Sequence, residues 1–434
     1  MKKVLIISYY WPPSAGAGVQ RWLKFSKYLR DFGWEPIIYT PENPEYPETD
    51  ISLAADIPES VQVVKRRIWE PYQLYKLFSG RKQSEKVQAG FLSENKKPGM
   101  AERAATWLRG NLFIPDARRH WIKPSVRYLT SWLKENQIDA MVSTGPPHSM
   151  HMIALGLKER LGIPWLADFR DPWTQIDFYH HLMLTRRADA RHKHMEAKVL
   201  THADRVVTVS PGCAKGLKEI CSRNIEVITN GFDPDDVADI PDFRYEAFSI
   251  THLGSMNADR NPTILWQALE KLSKQDRFFR DKLKLRFIGK TDISVFESLT
   301  YYGLEQFVEN LSYLPHNDAI KEAGKSAVLL LALNNTPNVT GIAPGKMYEY
   351  LALKRPILCI GPDHGDAARI IRETESGVTV GFKDMDKLLK TMNMWASQFT
   401  NKTLTSSNLL VDRYSRPELT KDMAAVLNSM VKGR

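Results

Sequence analysis

The apolar positions of this chain fall into short unbroken runs, separated by stretches in which they recur at helical spacing. Residues 3–9 are rich in Val, Leu and Ile without polar alternation, the signature of a parallel strand covered on both faces. The run ends in WPPSAGAG. From there Val19, Trp22, Leu23, Phe25, Tyr28, Leu29 and Phe32 keep a near-helical period, and Gly33 supplies a C-terminal cap. EPIIYTP then reads as a second strand. Strand, glycine loop, helix and strand in this order predict the first crossover of a doubly wound sheet.

The same grammar returns downstream. Strands are predicted at 138–145, 163–171, 205–210 and 225–231, with helices at 148–162, 187–203 and 211–220, the last opened by a favourable first-turn proline. The acidic segment FDPDDVADIPDFRYEAF carries two prolines and no period, and so reads as a linker, with Asp-Pro-Asp-Asp at 233–236 a solvated turn. A second series starts at FSITHLGS (248–255) and runs through KLRFIG, ENLSYLP, AVLLLAL, PILCIG and GVTVGF, with helices between them. The expected fold is α/β: two tandem Rossmann-like domains, 1–235 and 246–412, with an amphipathic helix at 416–434 returning to the first.

A length of 434 residues with 43% hydrophobic and 25% charged composition suits two sizeable cores. The three cysteines, Cys213, Cys221 and Cys359, lack metal-type spacing, so neither a disulfide framework nor a zinc site is expected, and no metal or cofactor is called for. The N-terminal apolar run is too short for a signal peptide and no run reaches spanning length, which points to the cytoplasm. The net charge of +10 is local: residues 61–130 hold 15 Lys/Arg against 5 Asp/Glu. Trp69, Tyr72, Leu74, Tyr75, Leu77, Phe78, Phe91, Trp107, Leu108, Leu112, Phe113, Ile114 and Trp121 are interleaved with these cations. Two readings stay open, a solvated insertion with its own apolar cluster or a peripheral contact with an anionic membrane. Nucleic acid, which would need a similar pattern, is the weakest partner.

The loop SAGAGVQR invites comparison with a dinucleotide fingerprint and departs from it twice. Arg21 stands where a third glycine is needed for close helix–sheet packing, and Thr40 where a carboxylate would hold the ribose. A nicotinamide oxidoreductase is thereby disfavoured. Gly16 and Gly18 still offer backbone N–H groups to a phosphate or sugar hydroxyl. The window GIAPGKMYEYLALKRPILCIGPDHGD (341–366) carries more chemistry. A Gly/Pro turn, a lysine and a glutamate stand at the mouth of a helix, ahead of a buried strand and a second glycine turn that opens the next helix at Gly365 and Asp366. Such ends hold phosphate and ribose groups, so a nucleotide-linked ligand is expected.

PPSAGAGVQR, VTVSPG (207–212), VITNGFD (227–233), LGSMNADRNP (253–262) and GKMYEYLALKRPIL (345–358), taken in order and spacing, resemble the retaining GT-B enzymes of glycosyltransferase family 4. The resemblance implies a nucleotide-sugar donor held by the C-terminal domain, a glycan or lipid-linked acceptor held by the N-terminal one, and transfer in a cleft with retention, usually without a metal. It gives Glu349 the ribose hydroxyls and Arg260 the donor phosphates, with Gly254, Ser255, Gly365 and Asp366 lining the donor. The chain departs from the family pattern at Gly341, which replaces a glutamate eight positions before Glu349, and at Ser255, which replaces an arginine. Lys346 stands where it can restore the missing positive charge. In ADFRDPW, Arg170 and Asp171 take the place of a His-Asp pair, as in members acting on lipid-linked acceptors. Asp171 can orient the attacking hydroxyl or serve as a helix N-cap before Pro172. His148 in GPPHSMH can touch the acceptor, while His151 suits a cap or core role. Asp171, Arg260 and Lys346 are the expected catalytic groups, in a cell-surface or lipid-linked glycan pathway at the inner membrane face. A sugar-nucleotide epimerase of the same fold and a catalytically silent GT-B binding module are the alternatives.

Overall fold

The computed structural model describes residues 1–46, 49–70, 100–176, 179–240, 246–312 and 314–431. They divide into two units, one of Met1–Thr229 with Pro417–Arg434 and one of Asn230–Arg416. The first is built on seven parallel strands among the described residues: β1 (Lys2–Ile7), β2 (Trp34–Pro41), β3 (Gln62–Arg66), β4 (Ala140–Gly145), β5 (Trp165–Phe169), β6 (Arg205–Thr208) and β7 (Glu226–Val227). Their order is β3-β2-β1-β4-β5-β6-β7, with Lys2 opposite Trp34 and Val4 opposite both Pro36 and Ala140. Alternate residues of β1 serve opposite cores. Leu5 and Ile7 pack with Trp121, Met141, Ile153 and Trp165, while Val4 and Ile6 pack with Trp22, Trp34, Leu419, Met423 and Leu427. Both faces are covered, which is why these strands carry no polar alternation. The last helix, Arg416–Val431, supplies three of those contacts, and Lys2 ties its own end of β1 to Asn428 at 2.7 Å.

The two ends of the stretch 61–130 are built into the first unit. Its start is the edge strand β3, registered from Ile37–Gln62 to Pro41–Arg66, and its end belongs to the helix Arg119–Glu135. That helix buries Trp121, Val126, Leu129 and Leu133, with the Trp121 ring stacked on Tyr39 at 4.9 Å. Its cations point outward because its apolar stripe is the inner face. Tyr72, Leu74, Tyr75, Leu77, Phe78 and Phe91 lie outside the described residues.

A buried ion pair ties the first unit together. Asp168, the penultimate residue of β5, has no exposure, and its carboxylate accepts from Arg21 Nη2 (3.0 Å), Trp22 Nε1 (2.7 Å) and Thr144 Oγ1 (2.9 Å). Arg21 also donates from Nη1 to the Thr229 carbonyl at 2.9 Å. Arg21 therefore does not hold its helix away from the sheet, because the sheet supplies it with a partner. Burial would push the Asp168 carboxyl up, but the Arg21 guanidinium and these hydrogen bonds outweigh it and hold the group below the usual carboxylate range.

The second unit has six strands in the order β10-β9-β8-β11-β12-β13 among the described residues. They are β8 (Phe248–Leu253), β9 (Leu283–Ile288), β10 (Val308–Asn310), β11 (Val328–Ala332), β12 (Ile357–Ile360) and β13 (Gly377–Val380). Within the segment read as a linker, residues 232–240 belong to this unit. Phe232 and Asp233 are buried, Phe232 N–H donates to the Tyr414 carbonyl, Arg416 N–H donates back to Phe232, and Asp233 caps a short 3₁₀ turn at Pro234–Val237. Asp233 is thus no solvated turn residue. Both sheets reverse strand order once, at β1/β4 and at β8/β11, and the crevice outside the carboxyl ends at such a reversal is where open α/β sheets bind ligands. No helix among the described residues is long and apolar enough to cross a membrane.

Removing one partner of a buried pair leaves the other charge uncompensated. Asp168→Ala should lose about 3–5 kcal/mol of stability, read as a fall in the urea midpoint; a change below about 1 kcal/mol would show that Arg21 is neutralised elsewhere.

Candidate functional site

At the β8/β11 reversal the chain gathers basic side chains. His252, the penultimate residue of β8, is buried, and its Nε2 lies 2.9 Å from Lys346 Nζ. Lys346 is the second residue of the helix Gly345–Ala352. The residue keeps some exposure, yet its amine is in the interior, with no ion-pair partner among the described residues. Burial, followed by the Arg260 charge, brings this amine down to about 7, with Glu349 pulling weakly the other way. His252 is held far below its ordinary value by burial and then by Lys346 and Arg260, so its ring is neutral. Its Nδ1 is buried without a hydrogen-bond partner.

Glycine geometry shapes the loop above the amine. Gly254 has φ +88°, a region L side chains rarely adopt, and a Cβ there would sit 3.5 Å from Lys346 Nζ. Ser255 follows at the surface and accepts from Arg260 Nη1 at 3.2 Å through its carbonyl. Arg260 Nε donates to Asn334 Oδ1 at 2.8 Å, linking the loop after β8 to the loop after β11. Tyr350 pins the helix from below, its hydroxyl accepting from Leu253 N–H (2.9 Å) and donating to the Leu330 carbonyl (3.2 Å).

Glu349 lies one turn along the helix from Lys346. Its side chain forms no hydrogen bond or ion pair among the described residues, and burial pushes its carboxyl up, partly offset by His316. Gly365 and Asp366 open the helix Asp366–Glu373. A Cβ on Gly365 would lie 3.1 Å from the Thr340 backbone, which brings this helix start against the 3₁₀ turn Val339–Gly341. Gly254, Ser255, Arg260, Lys346 and Glu349 thus gather around one sheet reversal, and Gly365 and Asp366 stand beside the turn that holds Gly341.

In the first unit, Arg170 bridges the loops at the β1/β4 reversal. It donates from Nη1 to the Gly18 carbonyl (2.9 Å) and from Nη2 to Pro146 (2.7 Å), so most of its fork is spent on main chain. A Cβ on Gly18 would meet that guanidinium at 3.1 Å, which gives this glycine a packing reason of its own. Gly16 has φ +94° at the N-cap of Ala17–Tyr28, with open space around its Cα. No helix begins at Pro172, so Asp171 is not an N-cap; it is half-exposed, 3.7 Å from Arg170 Nε. His148 stacks flat on Trp173 at 4.4 Å, and His151 contacts Ser143 Oγ at 2.8 Å. Burial lowers both rings, that of His151 to about 3, so both are uncharged at neutral pH. The residues missed from sequence are His252 and Asn334. His252 left one trace, a polar interruption near the carboxyl end of a buried strand.

Two parallel α/β sheets, each covered by helices and reversing its strand order once, define the class, and the two units together have the GT-B fold. Solved structures similar over nearly the whole chain share it. One is sucrose-phosphate synthase from Thermosynechococcus elongatus (11% identity, 100% of this chain and 97% of that chain, TM-score 0.57). Another is Anabaena Alr3699/HepE in complex with UDP-glucose (13%, 99% and 100%, TM-score 0.61). S. aureus TarM, in a complex with fondaparinux, alpha-GlcNAc-glycerol and UDP, matches at 13% identity over 99% and 100% of the chains with a TM-score of 0.61. No curated protein matches the sequence. The family model for Glycosyltransferase Family 4 matches residues 18–236, half of the chain, and the chain belongs to that family.

A lysine whose folded-state amine is depressed destabilises the fold in full below about pH 7, and less as pH rises toward its unfolded value. Lys346→Met should therefore raise the melting temperature most at pH 6 and least at pH 9. A gain that does not change with pH would mean the amine is solvated.

Proposed function

We propose that the chain moves a sugar from a nucleoside-diphosphate sugar to a hydroxyl acceptor with retention, in the synthesis of a cell-surface polysaccharide or lipid-linked glycan. The observation that carries this is the gathering of Lys346 and Arg260 at the β8/β11 reversal, with no carboxylate in ion-pair reach of the lysine among the described residues. As a sugar–phosphate bond breaks, negative charge grows on the departing diphosphate, and basic side chains and N–H groups positioned beside it stabilise it. Arg260 and Lys346 take that role, with the Gly254–Ser255 loop and the helix start at Gly365 and Asp366 around the phosphates. Glu349, whose carboxyl forms no hydrogen bond or ion pair among the described residues, accepts from the ribose hydroxyls. In the first unit, half-exposed Asp171 orients the acceptor hydroxyl, Arg170 and His148 shape its surroundings, and the helix start at Gly16 and Gly18 offers N–H groups to a phosphate or sugar hydroxyl. The complexes of HepE with UDP-glucose and of TarM with UDP support a donor of this class. No metal or cofactor is assigned a role.

The acceptor end fits a membrane surface. The helix Met100–Leu112 exposes Met100, Trp107, Leu108 and Leu112 together with Arg103 and Arg109, and exposed Trp69 packs edge-on against His120. Apolar and aromatic side chains flanked by arginines suit the headgroup region of an anionic bilayer, which would place the protein at the inner face of the plasma membrane.

Incubation with a panel of sugar nucleotides tests the reaction. Nucleoside diphosphate release only with an acceptor, and a product of unchanged anomeric configuration, is expected. Isomerised sugar would mark an epimerase, and binding without turnover a silent module. Glu349→Ala should weaken donor binding by about 1.5–3 kcal/mol through lost charge-assisted hydrogen bonds; unaltered affinity would remove Glu349 from the site. Trp107→Glu with Leu108→Glu should abolish sedimentation with phosphatidylglycerol vesicles while leaving donor binding intact, and persistent sedimentation would contradict the membrane contact.

A further inference from the structure

We propose that Lys346 and His252 form a one-proton phosphate latch, in which the lysine amine is neutral before the donor arrives and takes up a proton as the diphosphate seats against it. This rests on the donor site described above and adds to it a proton balance and a positioning residue, His252.

The geometry is unusual for a phosphate-binding lysine. Its nearest polar neighbour is an imidazole nitrogen at 2.9 Å, not a carboxylate, and the next charge is the Arg260 guanidinium. The titratable and charged groups that face the amine are His252 from β8, Arg260 from the loop after it, and Glu349 from the same helix. Glu349 in turn faces His316, Asp236 and Arg416, so its charge is shared with other groups. Burial and the Arg260 charge favour the neutral amine; a diphosphate placed beside it reverses the sign of the local field and favours the ammonium.

His252 suits such a change because a neutral imidazole can present either a donor or an acceptor at the same nitrogen. Facing a neutral amine, Nε2–H donates to the amine lone pair. Facing an ammonium, Nε2 accepts and the hydrogen resides on Nδ1. The unpartnered state of Nδ1 lets either tautomer form without breaking another bond. One proton enters from solvent to the amine, no covalent bond changes, and the ring stays uncharged.

Calorimetric titration of the full chain with UDP-glucose, GDP-mannose and ADP-glucose, in HEPES and in Tris, measures protons taken up from the difference in buffer heats. Sugar nucleotides are the right probes because a free terminal phosphate titrates near pH 6 on its own. The latch predicts uptake of about half to one proton per donor at pH 8, little at pH 6, and an affinity that falls about tenfold per pH unit once the uptake approaches one. Lys346→Arg, which cannot lose its charge, should bind with no proton uptake. His252→Leu should move the fall in affinity to lower pH, and His252→Gln, whose amide can turn to donate or accept, should move it back. Donor binding without proton exchange at pH 8, or uptake that survives in Lys346→Arg, overturns the latch and leaves the donor site standing. Failure of all three sugar nucleotides to bind overturns the donor site and the latch with it.

Discussion

An amine buried beside an imidazole and a guanidinium, with no carboxylate in ion-pair reach among the described residues, is an incomplete set of charges, and the chemistry assigned to this protein depends on what completes it. Lys346, His252 and Arg260 are brought together by elements that have their own reasons to be where they are. Tyr350 satisfies the end of β8 and the Leu330 carbonyl and so fixes the helix that carries Lys346. Asn334 fixes Arg260. The positive φ of Gly254 keeps side-chain bulk away from the amine. Basic groups held in a low-dielectric position interact most strongly with an arriving anion, because water has already been excluded from around them.

The first unit handles charge in the opposite way. Arg21 and Asp168 are equally buried, but each is the other's partner, and the remaining lone pairs are met by Trp22 and Thr144. That pair is closed to ligands and serves to register a helix on a sheet. Arg170 is similarly tied down, its fork spent on the carbonyls of Gly18 and Pro146. Asp171, beside it, is half-exposed, which is why the proposed role toward an acceptor falls to its carboxylate and the shaping to its neighbours.

The fold was largely legible because strands covered on both faces show as unbroken apolar runs and the helices between them keep their period. Gly33, read as a cap, indeed ends a 3₁₀ turn with φ +84°. The failures have a common cause, that a sequence shows charge but not burial. Residues 61–66 and 119–130 look like a basic insertion because their cations face outward, while β3 and the Trp121 helix do the packing. Asp233 looks solvated because it sits among other acids. Asp168 and His252 are polar residues inside apolar strands, and a one-dimensional pattern treats them as noise. Arg21 breaks a glycine fingerprint, and its partner 147 residues away along the chain is beyond any local pattern. The residues proposed for the donor stand out by motif, and a motif does not show that the Glu349 carboxyl forms no hydrogen bond or ion pair among the described residues or that Lys346 leans on a histidine.

The central claim is that the basic groups gathered at the reversal of the second sheet exist to hold a diphosphate. A crystal structure of the chain with UDP-glucose, or with whichever sugar nucleotide binds, tests it most directly. The diphosphate oxygens should lie within hydrogen-bonding distance of Lys346 Nζ and Arg260, with the ribose against Glu349. A nucleotide seated elsewhere, with the Lys346–His252 contact undisturbed, would contradict the account.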